Sequence, residues 1–143
     1  ELGVTVPGGA DEIVRVSRQN NSGTYAYFRE AVLQDNDFKL GSIDLSGSSD
    51  VVSMVEKTVS SIGYSGMGYA TDNVKMLKIK KTDDSDAVAP KAENVINGTY
   101  PIARPLLIYT AGEPEGALKT YLDWIMGENG QAIISEMGYV PVN

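Results

Sequence analysis

Ile13-Val14-Arg15-Val16-Ser17-Arg18-Gln19-Asn20-Asn21-Ser22-Gly23-Thr24-Tyr25-Ala26-Tyr27-Phe28 is the stretch from which the fold is read. Ile13, Val14 and Val16 sit among polar residues in a short apolar run, the pattern of a strand. Gln19 to Gly23 is polar and small, so a loop is expected there. From Thr24 to Gln34 the apolar residues Tyr25, Phe28, Val32 and Leu33 recur near a period of 3.6, which predicts a helix. The order is strand, loop, helix.

The same alternation continues outward. Upstream, Pro7-Gly8-Gly9-Ala10-Asp11 carries turn chemistry. Downstream, Asp35 to Ser49 is rich in Asp, Gly and Ser, and reads as a connection with one short strand around Ile43-Asp44-Leu45. A second helix follows, capped by Ser48, Ser49 or Asp50, with Val51, Val52, Met54, Val55, Val59 and Ile62 as its apolar stripe and Gly63 as its stop. Ile62 to Ala70 is too rich in glycine for a helix and suggests a buried strand whose backbone approaches something closely. Val74 to Ile79 predicts another strand, Lys80 to Pro90 an exposed loop, and Asn94 to Asn97 a helical turn closed by Gly98. Tyr100 to Tyr109 reads as a strand whose Pro101 and Pro105 need an edge position or unpaired N–H groups at one end. Leu118, Tyr121, Leu122, Ile125 and Met126 mark a helix broken near Gly127. Gln131 to Met137 marks a last helix closed by Gly138, before an extended Tyr139-Val140-Pro141-Val142 tail. The sum is a single α/β domain over residues 1–143, with no internal repeat.

Composition removes whole classes of function. The 143 residues carry 12 Lys and Arg against 19 Asp and Glu, a net charge of −7, with no His and no Cys. There is therefore no Ser-His-Asp triad, no Cys-His pair, no zinc or iron-sulfur ligand set and no disulfide. An acidic chain lacks the basic surface that counterion release needs, so nucleic acid is not an expected partner. No apolar run approaches the roughly 20 residues of a membrane span. The opening ELGVTVPGGADE lacks the charged, apolar, small-residue order of a signal peptide, and a soluble chain is expected. Asp83-Asp84-Ser85-Asp86 lacks calcium-loop spacing and reads as a solvated loop, so no metal site is expected. Gly63-Tyr64-Ser65-Gly66-Met67-Gly68 has the wrong order for a dinucleotide loop, and close packing or a hinge accounts for it better.

Arg18, Ser22, Gly23 and Thr24 are the candidate site. They place a cation at a strand end and small hydroxyl residues at a helix start, where unpaired N–H groups and about half a positive charge favour an oxyanion. Gly23 admits close backbone approach, Ser22 and Thr24 add hydroxyls, and the guanidinium of Arg18 matches two oxygens of a tetrahedral anion. Spacing alone leaves a plainer reading open. Ser22 can serve simply as an N-cap, and Arg18 can pair with a surface carboxylate such as Glu30. Catalysis by Ser22 has no base, since there is no His and no Lys at Ser-x-x-Lys spacing.

The run R-x-x-x-S-G-T from Arg18 to Thr24, followed by Phe28, resembles the second half of the phosphate-binding proteins of bacterial phosphate ABC importers. Ser61-Ile62-Gly63-Tyr64 is similar to an internal strand of that family, and Tyr100-Pro101-Ile102-Ala103-Arg104-Pro105-Leu106 to another. Asp123-Trp124-Ile125 with Gly130-Gln131, then Gly138-Tyr139-Val140-Pro141, resemble its C-terminal helix and tail. The resemblance implies a periplasmic-binding-protein-like (type II) lobe, a mixed sheet flanked by helices, with residues 1–143 a fragment: the second lobe, with the C-terminal segment that returns towards the first, of a two-lobed protein that clamps its anion between lobes. It implies Arg18, Ser22, Gly23 and Thr24 as phosphate ligands, no enzymatic activity and no cofactor. The implied partners are inorganic phosphate, the importer's membrane permease and the N-terminal lobe of the same protein, missing from this sequence; the implied location is periplasmic or extracellular, membrane-associated through the permease or an N-terminal anchor. Distinguishing hydrogen phosphate from sulfate needs an acceptor for the phosphate proton, and no carboxylate here matches one. Binding of another oxyanion, sulfate or molybdate, and a fold-sharing interaction or sensor module are the alternatives.

Overall fold

The computed structural model describes residues 12–142. The Pro7 to Asp11 turn expected from the sequence lies outside them. The described chain forms two compact units that meet in sequence between Lys75 and Met76.

The first unit is built on β1 (Val14–Arg18), whose Val16 and Ser17 are buried. β1 is followed by α1 (Gly23–Ala31), β2 (Ile43–Leu45), α2 (Ser48–Lys57) and β3 (Ser61–Gly63). The sheet has the order β2-β1-β3. Val16 pairs with both Ile43 and Gly63, and both pairings are parallel. The expectation was a mixed sheet; the antiparallel pairing among the described residues is an isolated bridge between Ile79 and Val88, in the second unit.

Two crossovers leave β1 and β2 in opposite directions. Right-handed connections then put α1 and α2 on opposite faces of the sheet, and the packing agrees. On one face lie Val16, Val51 and Val52, the buried apolar residues among those described. Gly63 permits this contact: a Cβ there would stand 2.8 Å from Val51 Cγ1 and 3.3 Å from Val16 O. Close packing is therefore what the glycine-rich stretch supplies at this position. On the other face Tyr64 stacks on Phe28 of α1 at a centroid distance of 4.0 Å, and Phe38 stacks on Tyr25 at 4.5 Å.

Several boundaries differ from those expected. α1 stops at Ala31, short of Gln34, because Gln34 and Asp35 take φ of 52° and 63°. Arg29 Nη2 donates to Asp35 O at 2.6 Å and holds the reversal. α2 stops at Lys57, so Val59 and Ile62 do not extend its stripe. Thr58 turns extended and Ser61 Oγ donates to Thr58 O at 2.6 Å. The chain then enters β3, where pairing with β1 satisfies backbone groups that a longer helix would leave on β1. The strand expected over Ile62 to Ala70 does not continue past Gly63. Met67–Tyr69 is a 3₁₀ turn, with Tyr69 N–H donating to Gly66 O at 3.1 Å.

The second unit contains α3 (Ala92–Ile96), α4 (Gly116–Met126) and α5 (Glu128–Glu136). The expected helical turn, with Gly98 at φ 72°, is present as α3. Lys80 to Pro90 forms the expected loop, closed by paired hydrogen bonds of 2.9 Å between Ile79 and Val88. The strand expected over Val74 to Ile79 is otherwise absent; Val74 N–H closes a turn on Thr71 O at 3.2 Å. No strand forms over Tyr100 to Tyr109 among the described residues. Pro101 and Pro105 supply no N–H to a ladder, and Leu106 to Tyr109 are exposed.

α5 starts at Glu128, three positions before the expected Gln131, immediately after α4. The tight junction depends on Gly130, which is buried against the last carbonyls of α4. Gln131, only 6% exposed, ties the junction to the tail. Its Nε2 donates to Ile125 O at 2.9 Å and its Oε1 accepts from Val142 N–H at 2.8 Å.

Candidate anion site

Arg18 ends β1 and Gly23 opens α1 five residues later. The connecting loop is short and tied down: Gln19 N–H donates to Leu45 O and Ser22 N–H to Gln19 O, both at 3.0 Å. Ser22 is the N-cap of α1. Its Oγ accepts from Thr24 N–H at 3.2 Å and from Tyr25 N–H at 3.4 Å. The capping reading of Ser22 is thus realised, and it presents the helix start rather than competing with it. Among the described residues no protein group accepts from the Gly23 N–H, so that donor is available at the positive end of the helix.

The pairing of Arg18 with Glu30 is not formed, and no ion pair among the described residues includes Arg18. Arg18 reaches instead to the connection between β2 and α2. Nη1 donates to Ser48 Oγ and Nη2 to Ser46 O, each at 2.8 Å. The alternation along β1 explains the choice, because Arg18 shares the face of Val16, which α2 covers. Nε of Arg18 is buried with no hydrogen-bond partner. Arg15 shares that feature, so its weight comes from position: Arg18 stands at the carboxyl end of the central strand.

The strand order reverses at this place. Open parallel sheets bind ligands outside the carboxyl ends of their strands at such a switch point, and with the order 2-1-3 the switch lies between β1 and β3. Tyr64, directly after β3, closes it from the other side. Its hydroxyl lies 2.8 Å from Ser17 Oγ and accepts from Arg18 N–H at 3.3 Å. Beside the loop lies a depression of about 430 Å³ lined by Gln19, Asn20, Asn21, Tyr25 and Asp44. Asp44 is a carboxylate next to the site that sequence spacing did not single out; its register opposite Ser17 brings it there. Among the described residues no group of His, Cys, Asp or Glu could hold a metal ion.

A family model described as a PBP superfamily domain matches residues 6–129. The chain belongs to that superfamily. Within the PBP superfamily it is 33% identical to the phosphate-binding protein PstS of Pseudomonas aeruginosa, over 99% of this chain and 45% of that protein. It is 37% identical to PstS of Bacillus subtilis, over 94% of this chain and 44% of the relative. Its structure resembles that of a Clostridium perfringens protein assigned as a phosphate ABC transporter substrate-binding protein, solved with bound phosphate. That match has a TM-score of 0.74 and 32% identity, and covers 96% of this chain and 55% of the other. This PBP superfamily member thus spans about half the length of the curated relatives it matches.

Proposed function

We propose that this chain is one α/β lobe of a phosphate-binding protein that presents inorganic phosphate to an ABC importer without chemical turnover. The observation that supports the reading is that one short loop joins Arg18, at the carboxyl end of the central strand of a parallel sheet, to the capped N-terminus of α1, in a chain whose relatives are named for phosphate. Arg18 would supply a charged fork, Gly23 its uncommitted backbone N–H, Thr24 its hydroxyl, and Ser22 the cap that fixes the helix start. The remainder of the protein would close over the anion and exclude water, which strengthens each of these hydrogen bonds. The membrane permease of the importer is the proposed acceptor of the ion, and the space outside the cytoplasmic membrane its place of work. No helix among the described residues is long and apolar enough to cross a membrane.

Isothermal titration of the full-length protein tests the substrate. Phosphate is expected to bind saturably and to retain its affinity in excess sulfate or molybdate. Displacement of phosphate by sulfate at equal concentration would move the assignment to another oxyanion.

A further inference from the structure

Arg18 is held by a turn that has no place among the proposed phosphate ligands. Its Nη1 and Nη2 are fastened to Ser48 Oγ and Ser46 O, at the first turn of α2. That turn is itself pinned. The Asp50 carboxylate accepts from Gly47 N–H at 3.0 Å and from Ser46 Oγ at 3.1 Å. A Cβ on Gly47 would stand 2.8 Å from Asp50 Oδ2, so the glycine is what lets the carboxylate close over the turn. Behind the side chain, the backbone of Arg18 is fixed by Tyr64.

A guanidinium at a helix N-terminus meets the positive end of the helix dipole. Its own placement there is electrostatically unfavourable, and the Ser46 carbonyl, the Ser48 hydroxyl and the Asp50 carboxylate at the same turn offset it. Arginine has five N–H donors. Two of them are spent on α2, and Nε–H is buried without a partner. A flexible side chain anchored at two of its nitrogens keeps its remaining donors in one direction, which removes the ordering that an anion would otherwise have to impose.

Resting on the phosphate reading of Arg18, we infer that Ser48 is a positioning residue: its hydroxyl sets the plane of the Arg18 guanidinium, and the β2–α2 turn thereby governs anion affinity without touching the anion. Titration of the full-length protein with inorganic phosphate tests this in Ser48→Ala, Ser48→Thr and Arg18→Ala, singly and with Ser48→Ala combined with Arg18→Ala. Ser48→Ala is expected to weaken binding about fivefold, the loss of one neutral-acceptor hydrogen bond, while Ser48→Thr keeps the hydroxyl and stays within about twofold of the parent. In the Arg18→Ala background Ser48→Ala is expected to change nothing, because residues acting through one group are not additive. Additive losses would overturn the inference. The Nε–H NMR signal of Arg18 gives a readout that needs no ligand. It should be sharp in the parent and in Ser48→Thr and exchange-broadened in Ser48→Ala; an unchanged signal in Ser48→Ala also overturns the inference. A parent protein that binds no phosphate, yet whose Arg18 signal responds to Ser48→Ala, removes the phosphate reading and supports the positioning of Arg18 by Ser48.

Discussion

Arg18→Ala is expected to weaken phosphate binding by more than about tenfold in the full-length protein, since a hydrogen bond to a charged group contributes roughly 1.5–3 kcal/mol. The effect has two sources. The substitution removes the charged donors, and it also releases the β2–α2 turn, because Ser46 O and Ser48 Oγ lose the group that bridges them to β1. Arg18→Lys separates charge from geometry. An ammonium keeps the positive charge but cannot hold two acceptors on α2 and still present a planar fork, so its affinity should fall between those of the parent and Arg18→Ala. Melting curves of the same variants confirm that the fold is intact. Unchanged affinity in Arg18→Ala would remove Arg18 from the site.

Gly130→Ala is expected to cost about 3 kcal/mol or more in the second unit, at the upper end of what overpacking does. A Cβ at this position would overlap the Ile125 carbonyl oxygen and stand 2.6 Å from both Ile125 Cα and Trp124 O. These are backbone atoms of α4, with no side-chain rotamer to move aside. Relief requires opening the junction between α4 and α5, and that withdraws Gln131 from Ile125 O and from the Val142 amide. The side-chain amide of the buried Gln131 would then lose both of these partners. The chain has a single Trp, Trp124 in α4, so its fluorescence reports this unit directly. A thermal melt followed at Trp124 should fall by many degrees in Gly130→Ala. A melt within about 2 °C of the parent would show that the junction is looser than the Gly130 contacts require, since about 1 kcal/mol corresponds to several degrees in a domain of this size.

The strand, loop and helix from Val14 to Ala31 were legible because every signal there is local: an apolar run, a small polar loop, a capping serine and a helical stripe. β3 was harder to place. Val55, Val59 and Ile62 continue a helical spacing, and periodicity carries no trace of the parallel pairing of Ile62 with Arg15 that ends the helix early. Tyr100 to Tyr109 shows the converse, a run with strand composition that finds no ladder among the described residues. A strand is completed by its neighbour, and composition names no neighbour. At the candidate site, Ser22 and Gly23 could be located from the sequence because a helix N-terminus is a local event. The grip of Ser48 and Ser46 on Arg18 could not, since it joins residues 30 and 28 positions apart. Asp44 was hidden for the same reason. It reaches the site through its register opposite Ser17, and a one-residue shift would have turned it to the other face.

The most direct test of the account is a backbone-amide NMR titration with phosphate, set against sulfate and chloride at matched ionic strength. Saturable shifts are predicted at Gly23 and Thr24 and at the Arg18 Nε–H, with chloride leaving all of them in place. A folded protein whose Gly23, Thr24 and Arg18 signals do not move with phosphate would contradict the assignment of the β1–α1 junction as the anion site.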